Sequence, residues 1–134
     1  MIGISQLRFA SVQPHRKTPN MRRVLFVCGR NKLRSPTAEQ IFSSYPGLEV
    51  ASAGLNDDSA TSVSAELLEW ADVIFVMEKI HRSKLSRRYG KHLKKQRIIC
   101  LDIPDKFEYM DDGFVRLLKA TVPRHLGLDV SAIV

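Results

Sequence analysis

Cys28 closes an apolar run, and Arg34 follows six positions later with Ser35 directly after it. The stretch reads Val27-Cys28-Gly29-Arg30-Asn31-Lys32-Leu33-Arg34-Ser35-Pro36. A loop of this length between strand and helix can curl around a tetrahedral oxyanion. Backbone N–H groups from Gly29, Arg30, Asn31, Lys32, Leu33 and Ser35 would point inward, and the helix start behind them adds positive potential. That field also favours a thiolate over a thiol. Arg34 carries a planar fork able to grip two phosphate oxygens at once. Ser35 can donate to the sulfur, stabilising it as an anion and as a leaving group. The competing reading is a buried structural cysteine beside an incidental arginine.

This chemistry needs elements that hold the loop. Val24-Leu25-Phe26-Val27-Cys28 is a continuous apolar run, as expected of a strand buried on both faces. Ser35-Pro36 predicts a helix start, with Ser35 as N-cap and Pro36 in the first turn. Tyr45-Pro46-Gly47 ends that helix. Leu48–Ala53 predicts a second strand ended by Gly54, and Ala65–Trp70 a short helix. Asp72–Met77 predicts a third strand, residues 79–90 a basic helix closed by Gly90, and Arg97–Leu101 a fourth strand. The last helix is expected over Gly113–Thr121, with Pro123 limiting it. Strands alternating with helices give an α/β domain with a parallel sheet. Ligands then sit at the carboxyl ends of the strands, which singles out the loops 29–34, 53–62 and 102–111.

The chain has 134 residues, a length that one domain typically occupies. Residues 1–20 carry Arg8, Arg16 and Lys17 and no acid. They read as a flexible basic extension ahead of a domain over 21–134, with Met21 an alternative start. Two cysteines, Cys28 and Cys100, each in an apolar run, do not make a disulfide framework. They point to a reducing compartment, the cytoplasm, with Cys100 a buried inert thiol. The formal charge of +7 points to an anionic partner. Residues 79–97 hold nine Lys or Arg and no acid. That run reads as a solvated or substrate-steering face, since only Tyr89 offers a ring for stacking bases. His81, His92 and His125 have no metal-ligand spacing, so no metal and no cofactor is expected. Trp70 reads as a packing residue under the sheet.

The sequence resembles the low-molecular-weight protein tyrosine phosphatases, as a short, divergent bacterial-type member. Their phosphate loop usually reads V-C-x-G-N-x-C-R-S-P-x-A-E; here it is VCGRNKLRSPTAE, matching at Cys28, Asn31, Arg34, Ser35, Pro36, Ala38 and Glu39. Ser52-Ala53-Gly54 matches the family's S-A-G, and Asp72–Met77 its A-D-x-I-x-x-M strand. The resemblance implies a four-stranded parallel sheet in order 2-1-3-4 with helices on both faces. It implies Cys28 as nucleophile, Arg34 as phosphate clamp and Ser35 as helper of the thiolate. It also implies Asn31 holding the loop by a hydrogen bond towards Ser52.

A phosphatase needs an acid to protonate its leaving group and then to activate water. The family's acid is an Asp in an Asp-Pro after the fourth strand. Here that loop reads Leu101-Asp102-Ile103-Pro104-Asp105-Lys106-Phe107-Glu108-Tyr109-Met110-Asp111. Asp105 has the better spacing to the last helix, with Asp102 the competitor; Asp111 and Asp112 read as helix caps. The sequence departs from the family at Leu33, where a second loop cysteine is usual, and at Arg30, where glycine is usual. Residues 55–64 are shorter than the family's segment, and Phe107 and Tyr109 are left to replace its aromatic pair. The implied activity is hydrolysis of phosphomonoesters through a phosphocysteine, with phosphorylated proteins or small phosphomonoesters as substrates and neither membrane nor nucleic acid as partner. The alternatives are a non-catalytic phosphate- or nucleic-acid-binding module and an arsenate reductase.

Overall fold

β1 (Arg22–Cys28) is the centre of the molecule because its side chains are buried alternately on the two faces of one sheet. The computed structural model describes residues 21–30, 34–56 and 58–128. The N-terminal extension expected over 1–20 and the loop residues Asn31, Lys32 and Leu33 lie outside that range. From β1 the chain forms α1 (Arg34–Phe42), β2 (Leu48–Gly54), α2 (Ala65–Trp70) and β3 (Val73–Val76). It continues through α3 (Lys79–Tyr89), a 3-10 turn (Gly90–His92), β4 (Arg97–Cys100) and α4 (Asp112–Leu126). The four strands run parallel in the order β2-β1-β3-β4. This is the expected α/β architecture, with helices on both faces.

One face of β1 presents Val24, Phe26 and Cys28 to α1 and α4, where Ile41, Phe42, Phe114, Leu118 and Val122 complete the layer. Phe26 stacks on both Phe42 (5.8 Å) and Phe75 (5.4 Å). The other face presents Leu25 and Val27 to α2 and α3, through Leu67, Leu68, Trp70 and Leu85. Each large apolar side chain so buried contributes about 1.5–3 kcal/mol. Trp70 is 2% exposed, and the Arg23 guanidinium lies 6.0 Å from its ring. At the amino end of the sheet, the Arg23 N–H donates to Asp72 Oδ2 and the Asp72 N–H to the Arg23 carbonyl, locking β1 to β3.

Two expected boundaries are corrected, at Ser35 and at Pro123. α1 already begins at Arg34, so Ser35 is a first-turn residue and not the N-cap; Pro36 still fits, because first-turn N–H groups need no helical partner. Gly90 caps α3 as expected, which ends at Tyr89, although not in the left-handed conformation usual for a glycine cap. Its φ of −51° and ψ of −37° are right-handed, and the chain passes into the 3-10 turn. Pro123 lies inside α4, which runs on to Leu126. A proline removes its own N–H but its carbonyl still accepts, here from Gly127 and Leu128. Buried Val122 and Leu126 hold that last turn on the core, and Gly127, at φ 69°, supplies the left-handed stop.

Candidate active site

β1 delivers Cys28 to the carboxyl end of the sheet, where it is 3% exposed. The loop after β2 grips the residues that follow it. The Leu55 N–H donates to the Cys28 carbonyl (3.0 Å), and the Asn56 N–H to the Gly29 carbonyl (2.7 Å), which also accepts from the Ser59 hydroxyl (3.1 Å). Gly54 lets the two loops touch. A Cβ there would lie 2.8 Å from the Arg30 carbonyl carbon and 2.2 Å from Ser59 Oγ. The glycine of Ser52-Ala53-Gly54 is therefore required by close approach of backbone to backbone.

Arg34 is 5% exposed, and its Nη1 donates both to Glu78 Oε2 (2.6 Å) and to the Ile103 carbonyl (2.8 Å). These two acceptors account for both hydrogens of that nitrogen. The Nε–Nη2 edge remains for a bidentate grip on an oxyanion. Asp105 Oδ1 lies 3.7 Å from Nε. The loop carrying Asp105 is positioned by its neighbours: the Ile103 N–H donates to the Met77 carbonyl (2.7 Å) and the Met110 N–H to Thr37 Oγ1 (3.0 Å).

A cleft of about 560 Å³ collects these groups. Cys28, Gly29, Arg30 and Arg34 come from the strand end and the start of α1. Asn56 comes from the loop after β2, and Glu78, Ile80, His81 and Lys84 come from α3 and its cap. Asp105 comes from the loop after β4. Asp102 does not line the cleft. It is exposed, at φ 57°, in the left-handed region that Asp tolerates better than most residues. Another hollow, of about 470 Å³ and lined by Glu69, Asp72, His92 and Lys94, lies at the opposite end of the sheet, away from Cys28.

His81 is the least expected member. It is 5% exposed, its Nδ1 accepts the Glu78 N–H (3.1 Å), and Nε2 lies beside Gly29. Burial pushes its pKa down from 6.5, and the Arg34 and Lys84 charges push the same way against Glu78 and Asp105. The imidazole is thus neutral, and with Nδ1 accepting, its proton sits on Nε2. Glu78 and His81 stand at the carboxyl end of β3, the strand end from which a helix starts with no intervening loop. Strand-end reasoning applies to that position too, and it was the missed signal.

No protein-family model matches the sequence, and no curated protein matches it. Solved structures do. The YwlE arginine phosphatase from Geobacillus stearothermophilus aligns over 79% of this chain and 94% of its own, with TM-score 0.64 and 22% identity. The tyrosine phosphatase Wzb from Escherichia coli K30, in complex with phosphate, aligns over 80% of this chain and 97% of its own (TM-score 0.64, 24% identity). The low-molecular-weight protein tyrosine phosphatase SP-PTP from Streptococcus pyogenes aligns over 80% and 92% (TM-score 0.65, 18% identity). This chain has the low-molecular-weight protein tyrosine phosphatase fold.

Within that fold, several expectations change. Phe107 does not wall the cleft: it stacks on Phe114 (5.0 Å) and packs against the core. Tyr109 is 50% exposed and also lies outside the cleft, which has no aromatic lining among the described residues. Ser52 donates to Glu39 Oε1 (2.5 Å), which leaves its oxygen able to accept; its expected partner Asn31 lies outside the described residues. The Ser35 hydroxyl is fully buried and makes no hydrogen bond among the described residues, Cys28 Sγ included. Cys100 is half-buried on the edge strand β4 rather than deep in the core. It lies two strands from Cys28 and packs on the opposite face of the sheet. At ~4.8 Å per strand that is about 10 Å, beyond the ~7 Å that a disulfide spans between Cα atoms. Among the described residues no group of three His, Cys, Asp or Glu converges as metal ligands, and no helix is long and apolar enough to cross a membrane.

Proposed function

We propose that the protein is a cysteine-dependent phosphatase of the protein tyrosine phosphatase type, hydrolysing phosphomonoesters through a phosphocysteine. The observation that carries this reading is the state of Arg34. It is a buried guanidinium anchored through one nitrogen; among the described residues its Nε–Nη2 edge makes no hydrogen bond and has only the exposed carboxylate of Asp105, 3.7 Å from Nε, near it in the cleft that holds Cys28.

In the reaction, Cys28 Sγ as thiolate attacks phosphorus. An S–P bond forms as the ester P–O bond breaks, and Asp105 passes its proton to the departing oxygen. Arg34 and the N–H groups around the loop, from Gly29 through Ser35, take up the charge on the equatorial oxygens. Water then attacks phosphorus, giving its proton to Asp105, as the S–P bond breaks and returns the thiolate. The Ser35 hydroxyl, buried and without an acceptor among the described residues, is available to the sulfur as it leaves. Asn31, Lys32 and Leu33 belong to the loop by sequence, and Ser52 ties β2 to α1, the helix that follows the loop, through Glu39. Phosphorylated protein is the substrate class, and a reduced nucleophilic thiol fits the cytoplasm.

The direct test is hydrolysis of p-nitrophenyl phosphate. Cys28→Ser should abolish turnover. Asp105→Asn should slow it while vanadate still binds, and Asp102→Asn should leave it close to wild type. Full activity in Cys28→Ser would overturn the mechanism, and a damaging Asp102→Asn beside a silent Asp105→Asn would overturn the acid.

A further inference from the structure

Lys84 lines the cleft, is half-buried, and has no acidic partner or hydrogen-bond acceptor among the described residues. It is close enough to His81 to depress its protonation. Of the carboxylates that line the cleft, Glu78 is committed to Arg34 (2.6 Å), and exposed Asp105 also faces Arg34, at 3.7 Å, rather than Lys84. Arg30, on the loop side of the cleft, is well exposed and pairs only loosely with exposed Asp58 at 3.6 Å. The cleft therefore keeps positive charge beyond what its own carboxylates neutralise. Ile80, Lys84, Arg87 and Lys91 succeed one another at helical spacing along α3 and into the 3-10 turn, so the charge continues outward from the cleft along one stripe.

We infer that Lys84, with Arg30 opposite, forms a subsite for carboxylates that flank the phosphorylated residue, so that the preferred substrates are phosphorylated protein segments with acidic neighbours. This rests on the phosphatase reading above. An incoming carboxylate would meet Lys84 without a counter-ion among the described residues, and the cationic stripe steers such segments to the cleft. A nucleic acid is the poorer fit: no Phe, Tyr or Trp lines the cleft among the described residues, and Tyr89 is half-buried with its hydroxyl donating to the Val63 carbonyl.

The test compares kcat/KM on three phosphotyrosine peptides that differ only in carrying Glu, Gln or Lys beside the phosphotyrosine. Wild type should prefer the Glu peptide over the Gln peptide by about fivefold, the effect of one well-placed ion pair, with the preference shrinking at high salt. Lys84→Gln should bring that ratio close to one, and Lys84→Glu should shift preference to the Lys peptide. A merely structural lysine would lower all three rates together and leave the ratios alone. Equal rates on the peptides in wild type, or ratios that ignore residue 84, overturn the subsite. Hydrolysis of p-nitrophenyl phosphate with none of the peptides overturns the subsite and leaves the phosphatase; no hydrolysis of either ends both. Competitive inhibition by single-stranded RNA that Lys84→Gln relieves, without any peptide preference, reassigns the charge to nucleic acid.

Discussion

Gly54→Ala adds one methyl group where the loop after β2 meets the phosphate loop. The new Cβ would sit 2.8 Å from the Arg30 carbonyl carbon, where ordinary contact begins at 3.4 Å, and 2.7 Å from Ser59 Cβ. Ser59 lies on a loop and can give way. The carbonyl carbon of Arg30 is main chain, and Gly29 beside it is tied to Asn56 and Ser59 by hydrogen bonds. The two loops must separate, and the phosphate loop must shift by roughly half an ångström or more, since tightly packed contacts transmit such strain. Overpacking of this kind costs about 1–3 kcal/mol of stability. Misplacing a catalytic group by 1 Å costs on the order of a hundredfold in rate, so kcat/KM on p-nitrophenyl phosphate should fall by roughly tenfold to a hundredfold. Urea unfolding measures the first effect and steady-state kinetics the second. The double variant Gly54→Ala with Ser59→Gly separates the two contacts. It relieves Ser59 but not Arg30, so activity should remain low. Wild-type activity in Gly54→Ala, or full rescue by Ser59→Gly, would refute the claim that this glycine sets the loop through Arg30.

Glu78→Ala should lower kcat/KM by about tenfold or more and weaken vanadate binding, because Arg34 loses one of the two acceptors that aim it; phosphate release kinetics and vanadate titration check this. Ser35→Ala should slow turnover by about tenfold without loss of stability, because the hydroxyl removed has no partner among the described residues to lose; thermal melts run beside the rate separate the two effects. His81 is held neutral in the folded protein, so its pKa lies below the 6.5 of the unfolded chain. The folded state then binds fewer protons than the unfolded state. The stability it lends is complete above 6.5 and declines as pH falls below that value towards the folded pKa. His81→Gln should flatten this part of the stability–pH curve, and an unchanged slope below pH 6.5 in urea titrations would rule the effect out.

The sequence by itself determined the sheet and the chemistry within the chain's nearest neighbours. The unbroken apolar run of β1 requires burial on both faces, and that requirement alone demands helices above and below it. The spacing of Cys28, Arg34 and Ser35 is local, so it was legible without a fold. Gly54 was legible as a motif, although its reason, the Arg30 backbone 2.8 Å from a missing Cβ, was not. What the tertiary structure decided is what meets across the strand ends. Glu78 and His81 are separated from Arg34 by more than forty residues; their place after β3 puts them at the right end of the sheet, but the contact with Arg34 itself is tertiary. Spacing to the last helix already favoured Asp105 over Asp102; what only the fold supplies is the reason that Asp105 lines the cleft, Ile103 being tied to β3 and to Arg34. The Pro123 boundary failed for the same reason. Local propensity at a helix end is worth about 1–3 kcal/mol, and burial of a few apolar side chains outweighs it. Local rules therefore recovered the elements, whereas the site depends on contacts that exist only once parallel strands bring their carboxyl ends to one edge.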